Sequence, residues 1–480
     1  MENYSLLTDY YEHTMANGFY LSGMKDRILY FDLFFRRVPD SGGFVIACGL
    51  EQAIDHIKNL SFSQEDIAYL ESKGVFSEAY LQALGDFRFS GDVWAVPEGT
   101  VVFPGEPLVT VRARAAEAQL IETYLLLCIN HQSLIATKAN RIVRAANGRK
   151  VLEFGARRAH GASAAVLGTR AAFIAGVDAT SNTLADRLFG IPASGTMAHS
   201  WVQLFDDEYT AFSEYCRLYP NSASLLVDTY NALRSGVPNA IRAFKDAGVG
   251  EGSIRIDSGD IAYLSRRARG MLDEAGLYGI KIIASNSLDE NIIRDLLAQG
   301  GMVDAFGVGE QLITAGSEPV LGGVYKLVAA ENSNGEITPK IKVSDNAAKI
   351  TTPHFKKVYR LYSREENKAE ADLICVNDEV VDDGRPLEIF DPDYTWKRKT
   401  LKDFYARELM VQVIKNGELT CEFPDIAEIR ANCKKEVDSL WDEVKRFENP
   451  HNYYVDLSQK LWDEKQRLLS VGRYNSSASL

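Results

Sequence analysis

Residues 254–260, IRIDSGD, bring an arginine, two carboxylates and a serine hydroxyl within a few positions of one another. Such a set can grip an anion, a polyol and a metal ion together. Ile254 and Ile256 alternate with Arg255 as in a strand, and IAYLSRRARGMLDEAG at 261–276 follows with helical apolar spacing. Arg255, Asp257, Ser258 and Asp260 are therefore expected at or just past the C-terminal end of a strand in a βα unit, where α/β folds collect ligand-binding groups.

The flanking segments share this layout. The strand-like SLLVDTY ends near Asp228 and the strand-like IKIIASN ends at Asn286, so Asp228, Asp257 and Asn286 recur every 29 residues. That interval suits a strand, a loop, a helix and a return turn, and right-handed βα units in series build a parallel sheet. If the sheet closes, the three polar residues converge on one rim.

Other segments carry chemistry of their own. In SGTMAHSWVQLF (194–205), His199 precedes an apolar helix and can serve as a base, a ligand, a phosphate acceptor or a hydrogen-bonded structural histidine. LEFGARRAHG (152–161) ends a strand at Glu153 and presents Arg157 and Arg158 at the expected start of the next helix. Two guanidinium groups there can bind phosphate oxygens, and an anion would relieve their conflict with the helix dipole. In FGVGEQLITAGSEPVLGGVYKLV (306–328), Gly307 and Gly309 allow turns that aim backbone N–H groups at a phosphate, with Thr314 and Lys326 as further donors. TDYYEHTM (8–15) offers Tyr10 and Tyr11 as core residues or as a surface on which a planar ring stacks.

The elements that must position these groups fill a chain of 480 residues, enough for two or three domains of about 150 residues. A first α/β domain is expected over residues 1–135. A βα-barrel domain with the site follows over 136–330, and a charge-rich C-terminal region over 331–480 packs on both. Within the first, 26–39 reads as a strand, 49–60 and 63–74 as helices, 91–113 as short strands, and the apolar stretch after it as one long helix. The net charge of −13 argues against nucleic acid as a partner. No run approaches the ~20 apolar residues of a membrane span, and the opening MENYSLLTDYYEHTM has no basic stretch followed by an apolar core. Six cysteines without a CxxC pair suggest reduced thiols in a cytoplasmic protein. HExxH spacing and a P-loop are absent, which speaks against a zinc enzyme and a P-loop ATP site.

Taken together, LLTDYYEHTM (6–15), EFGARRAHG (153–161), SGTMAHSW (194–201), RIDSGD (255–260) and FGVG…LIT…GGVYKLV (306–328) resemble the nicotinate phosphoribosyltransferase family, in order and over nearly the whole chain. The resemblance implies an irregular βα barrel of the type II phosphoribosyltransferase kind with a smaller α/β domain. It implies a homodimer with active sites at the subunit interface. It implies formation of nicotinate mononucleotide and pyrophosphate from nicotinate and phosphoribosyl pyrophosphate, coupled to ATP hydrolysis. By the same resemblance His199 falls on the phosphorylated histidine, and Tyr11, Thr196 and Arg255 on nicotinate contacts. Thr314 falls on a phosphoribosyl pyrophosphate contact, a role that Arg157, Arg158, Gly307 and Gly309 would share. Asp257 and Asp260 suit stabilisation of charge at the ribose or retention of magnesium, Mg²⁺ and ATP being the expected cofactor and co-substrate. The chain departs from many relatives at Glu310, where a threonine is usual after the glycine pair.

A nicotinamide phosphoribosyltransferase is the alternative of similar length and architecture. A barrel glycosidase using Asp228 and Asp257 as its carboxylate pair would leave the glycine-rich run and the paired arginines without a role. A non-catalytic sugar-phosphate sensor is the third possibility.

Overall fold

The computed structural model of the protein describes residues 4–477. Two compact units divide the chain: one is Ile135–Pro319, and the other joins the chain before Ile135 to the chain after Pro319.

The unit Ile135–Pro319 is built on six parallel strands. Across the sheet they run Ala179–Thr180, Lys150–Glu153, Ala305–Val308, Ile280–Ser285, Gly252–Ile256 and Ser224–Leu226. The first strand of this unit in sequence, Lys150–Glu153, thus pairs with both its second and its last, which is the neighbour pattern of a barrel. One seam stays open, between Ala179–Thr180 and Ser224–Leu226, so the sheet is a curled half-barrel and the fold an irregular βα barrel of the α/β class. Leu225, Ile254, Ile256 and Ile282 pack with Phe244, Ala268 and Leu272 in a buried core, as nearly continuous apolar strands of parallel sheets do. Each βα turn is fixed locally. Asp260, for instance, caps the helix Ile261–Glu274 by accepting the Tyr263 N–H at 2.9 Å.

A long insertion fills the connection at the seam. After Thr180 the chain forms the helix Thr183–Phe189 and returns to pair Ala193 with Thr180 in parallel. It then continues through 194–198 into the short helix His199–Leu204. The SGTMAH segment is thereby laid along the open edge rather than on an ordinary strand end.

The other unit centres on a seven-stranded sheet, ordered Ile337–Pro339, Val324–Glu331, Ile28–Phe34, Val109–Arg114, Asp92–Ala95, Val411–Lys415 and Glu418–Leu419. Its strands come from both ends of the chain, with Ile28–Phe34 between Val324–Glu331 and Val109–Arg114, antiparallel to each. A four-stranded sheet carries Phe404–Glu408, Lys356–Ser363, Ala369–Val376 and Val455–Leu457. The apolar stretch expected as one helix is two, Ala115–Gln119 and Glu122–Ala145, interrupted at Leu120 and Ile121.

The helix Tyr10–Leu21 begins with a capping box between Asp9 and Glu12. Glu12 is fully buried; its Oε1 accepts the Asp9 N–H at 3.1 Å and the Thr123 hydroxyl, and among the described residues its Oε2 has no partner. Burial, with smaller contributions from the Glu122 and Asp9 charges, outweighs those two bonds and raises its carboxyl from 4.5 to about 7. A carboxyl raised on folding stabilises the native state most below its unfolded pKa, and that contribution is lost as pH rises through the folded value. Glu12→Gln, which imitates the protonated form, is therefore expected to melt with the parent at pH 5 and above it at pH 8. Thermal scans at the two pH values check this, and an equal melting temperature at pH 8 contradicts it.

Candidate active site

Arg255 stands at the C-terminal end of Gly252–Ile256, and three side chains hold its guanidinium. Nε donates to Ser285 Oγ at 2.8 Å, Nη1 to Thr196 Oγ1 at 2.9 Å and Nη2 to Asp257 Oδ1 at 2.7 Å. Ser285 in turn donates its hydroxyl to the same Asp257 oxygen. The face of Phe154 lies 5.8 Å from the guanidinium carbon.

Asp257 is the hub. Burial works against its charge, yet the bonds from Ser285 and Arg255, together with the nearby Arg255 and His199, hold its carboxyl below the ordinary range. Its backbone N–H donates to Asp228 Oδ2 at 2.9 Å, which also accepts the Ser258 hydroxyl at 2.6 Å. Asp228 Oδ1 is buried and has no protein partner among the described residues. His199 approaches from the seam segment, with Nδ1 3.1 Å from Thr229 Oγ1 and Nε2 3.9 Å from Asp257 Oδ2. Asp260 is exposed and spends one carboxylate oxygen on its helix cap.

The paired strands Lys150–Glu153 and Ala305–Val308 carry the rest of the rim. Glu153 is fully buried and accepts the Gly155 N–H and the hydroxyls of Thr180, at 2.7 Å, and Thr169, at 3.0 Å, so it fixes the turn that follows. Arg157 and Arg158 occupy a 3-10 turn, Ala156–Arg158, and the helix begins only at Ala162. They thus precede the helix rather than open it. Arg158 Nε lies 3.8 Å from Glu310 Oε2, both side chains well exposed. Gly307 lies inside its strand, where a Cβ would come within 2.6 Å of the Phe154 ring. Its lack of a side chain is thus a packing requirement. Gly309 precedes the short helix Glu310–Ile313, and Thr314 closes that helix by donating to the Glu310 carbonyl at 2.7 Å.

Contacts therefore link Arg255, Asp257, Asp228, Thr196 and His199 directly, and Phe154 connects Arg255 to the glycine-rich strand and the arginine turn. Tyr11 belongs to the other unit. It is 42 % exposed on the helix Tyr10–Leu21, and burial and the Glu122 carboxylate that its hydroxyl meets push its pKa up. Lys326 is in that unit too, donating to the Tyr325 carbonyl at 2.7 Å.

Three residues of the cluster are not singled out by the sequence: Phe154, Thr229 and Ser285. Ser285 has a specific cause. Ser224–Leu226 pairs with Gly252–Ile256 at an offset of 29 residues, Leu226 opposite Arg255. The next pair runs at an offset of 28, Ile283 opposite Arg255. The 29-residue rhythm therefore points to Asn286, whereas the ladder sets Ser285 level with Asp257. Asn286 has turned away into a positive φ of 95°.

A curled βα barrel whose C-terminal rim holds a guanidinium, paired carboxylates and an imidazole defines an enzyme of anionic, hydroxyl-rich ligands. Family models agree in detail. The nicotinate phosphoribosyltransferase N-terminal domain matches residues 6–130, the family model itself residues 149–362, and the C-terminal domain residues 355–465. The nicotinate phosphoribosyltransferase of Bacillus subtilis is 44% identical over 473 residues, covering 98% of this chain and 96% of that protein. The Mycobacterium tuberculosis enzyme of that name is 40% identical, covering 97% of this chain and 94% of its own. The crystal structure of human nicotinic acid phosphoribosyltransferase matches with a TM-score of 0.84 and 28% identity, over 96% of this chain and 100% of that one. The chain belongs to the nicotinate phosphoribosyltransferase family.

Proposed function

We propose that the protein joins nicotinate to phosphoribosyl pyrophosphate, giving nicotinate mononucleotide and pyrophosphate with coupled ATP hydrolysis. The observation that carries this reading is the anchored Arg255 fork. Five N–H donors emerge from a guanidinium, and Thr196, Asp257 and Ser285 take one each at the rim. One N–H remains on each of Nη1 and Nη2, a pair suited to a carboxylate on a planar ring. The neutral amide of nicotinamide offers no charge-assisted fork.

In the reaction, the pyridine nitrogen forms a bond to C1 of the ribose as the bond to pyrophosphate breaks, and positive charge builds at C1. Asp257, held ionised, stabilises that charge. Arg157 and Arg158, exposed and close to the Gly309–Thr314 turn, suit the phosphate oxygens, with the backbone at Gly309 as a further donor, whereas the Thr314 hydroxyl proton is held by the Glu310 carbonyl and Gly307 lies within the ladder. Asp260 is left with one carboxylate oxygen for a ribose hydroxyl. Thr196 helps aim the fork, so that much of the catalysis is positioning.

Among the described residues no three His, Cys, Asp or Glu side chains cluster as a metal cage. Magnesium in phosphoryl sites needs only one or two carboxylates besides the substrate, and the partnerless buried Oδ1 of Asp228 fits that need. When bound, the ion would neutralise charge on the leaving pyrophosphate.

ATP enters through His199: its γ-phosphoryl group passes to an imidazole nitrogen, ADP leaves, and water later hydrolyses the phosphohistidine. The added charge, about −1.5 to −2 by analogy with other phospho-residues, tightens substrate binding. A homodimer with shared sites is the assembly that the family resemblance implies. The six free cysteines suit a reducing, cytoplasmic setting, and no helix among the described residues is long and apolar enough to cross a membrane.

Product formation from nicotinate, with nicotinamide assayed beside it and ATP present or omitted, tests the reading. Turnover of nicotinate, stimulated by ATP, is expected, with little from nicotinamide; the reverse preference overturns it. In His199→Ala the ATP stimulation is expected to vanish while slow ATP-independent transfer persists. Undiminished stimulation removes His199 from the coupling.

A further inference from the structure

Ser285 occupies a chemically constrained position. It is 3% exposed, at the end of Ile280–Ser285. Its hydroxyl lies between two groups that leave it no choice of role. A guanidinium can only donate, and an ionised carboxylate can only accept. The Ser285 oxygen therefore accepts from Arg255 Nε at 2.8 Å, and its single proton goes to Asp257 Oδ1. The same oxygen of Asp257 accepts from Arg255 Nη2 at 2.7 Å. Nε–H, the hydroxyl, the carboxylate and Nη2–H thus close a ring of hydrogen bonds around one edge of the guanidinium.

We propose that Ser285 is a positioning residue that sets specificity for the ring acid: it closes one edge of the Arg255 guanidinium against Asp257, so that the remaining Nη1 and Nη2 donors are presented as a rigid fork to a carboxylate. The inference rests on the reading of Arg255 as the carboxylate contact. A free arginine side chain populates many rotamers. Three anchors remove that freedom before the ligand arrives, which is the general route by which preorganisation raises affinity. Thr196 steadies Nη1, at 2.9 Å, and Asp257 steadies Nη2, but Ser285 holds Nε and fixes the Asp257 oxygen as well. Loss of its hydroxyl loosens both partners at once, whereas loss of Thr196 frees one donor.

The test uses the full-length enzyme and the variants Ser285→Ala, Ser285→Thr and Arg255→Lys, each checked for its melting temperature. In Ser285→Ala the KM for nicotinate is expected to rise about 10- to 100-fold, the loss of a hydrogen bond to a charged group. The KM for phosphoribosyl pyrophosphate and the inhibition constant of pyridine, which has the ring without the carboxylate, are expected to stay within about threefold of the parent. Ser285→Thr, which keeps the hydroxyl, restores most of the nicotinate KM. A general loosening of the site would instead weaken nicotinate, pyridine and phosphoribosyl pyrophosphate together, and that outcome overturns the proposal. So does a nicotinate KM unchanged in Ser285→Ala while Arg255→Lys is impaired, in which case the reading of Arg255 stands. If neither variant affects nicotinate, the assignment of Arg255 falls, and this inference with it.

Discussion

Arg255→Lys is expected to lower kcat/KM for nicotinate by about 30-fold or more. A lysine keeps the charge but has neither the planar fork nor the Nε–H, so it cannot meet Ser285, Thr196, Asp257 and a ligand carboxylate together. Truncating one partner of a buried, hydrogen-bonded charge pair costs about 2–5 kcal/mol, and each 1.36 kcal/mol is about tenfold in rate. Part of the loss comes from Asp257, which keeps the Ser285 bond but loses the guanidinium N–H. The measurement is steady-state kinetics with nicotinate varied at saturating phosphoribosyl pyrophosphate. A fall of less than about fivefold would exclude Arg255 as the carboxylate contact.

Arg360→Met is expected to destabilise the chain by about 3–5 kcal/mol, the usual cost of removing one partner from a buried ion pair. Arg360 is fully buried. It donates to Asp372 at 2.6 Å, to Glu436 at 3.0 Å and to the Val101 carbonyl at 2.8 Å. Tyr453 adds a bond to Asp372 at 2.9 Å. Glu106 is the third acid of the group. Burial, and next the Asp372 charge, push its carboxyl well above the ordinary range. Methionine matches the arginine stem but leaves Asp372 charged in the interior, while Glu436 keeps only Arg407 at 2.7 Å. Glu106→Gln, which is uncharged, is expected to change stability by less than about 1 kcal/mol. Urea denaturation followed by tryptophan fluorescence compares the two. Equal midpoints would mean that the arginine does not balance the buried acids.

Much of the barrel could be read in the chain because its signals are local. Alternating apolar strands, polar loops and amphipathic helices succeed one another from Lys150 onward, and each βα turn is fixed by residues close in sequence, such as Asp260 capping its own helix. The candidate cluster was legible in part for the same reason: strand ends in series display their polar residues on one rim. The seven-stranded sheet was not legible. Ile28–Phe34 pairs with Val324–Glu331 across almost 300 residues, and nothing in either strand specifies so distant a partner. The C-terminal strands from Leu387 to Lys415 escaped notice because short, charge-rich strands lack a strong period.

What the sequence determined by itself was the set of chemical groups, their place at the ends of βα units, and the family to which the order of motifs belongs. The fold alone decided which groups meet. A shift of one residue in ladder offset, from 29 to 28, replaces Asn286 by Ser285 beside Asp257. The open seam between two strands lets the 194–199 segment bring Thr196 to Arg255 and His199 to Asp257. The physical reason is that side-chain direction alternates at every residue along a strand, while strand register is set by packing and hydrogen bonding between segments far apart in the chain.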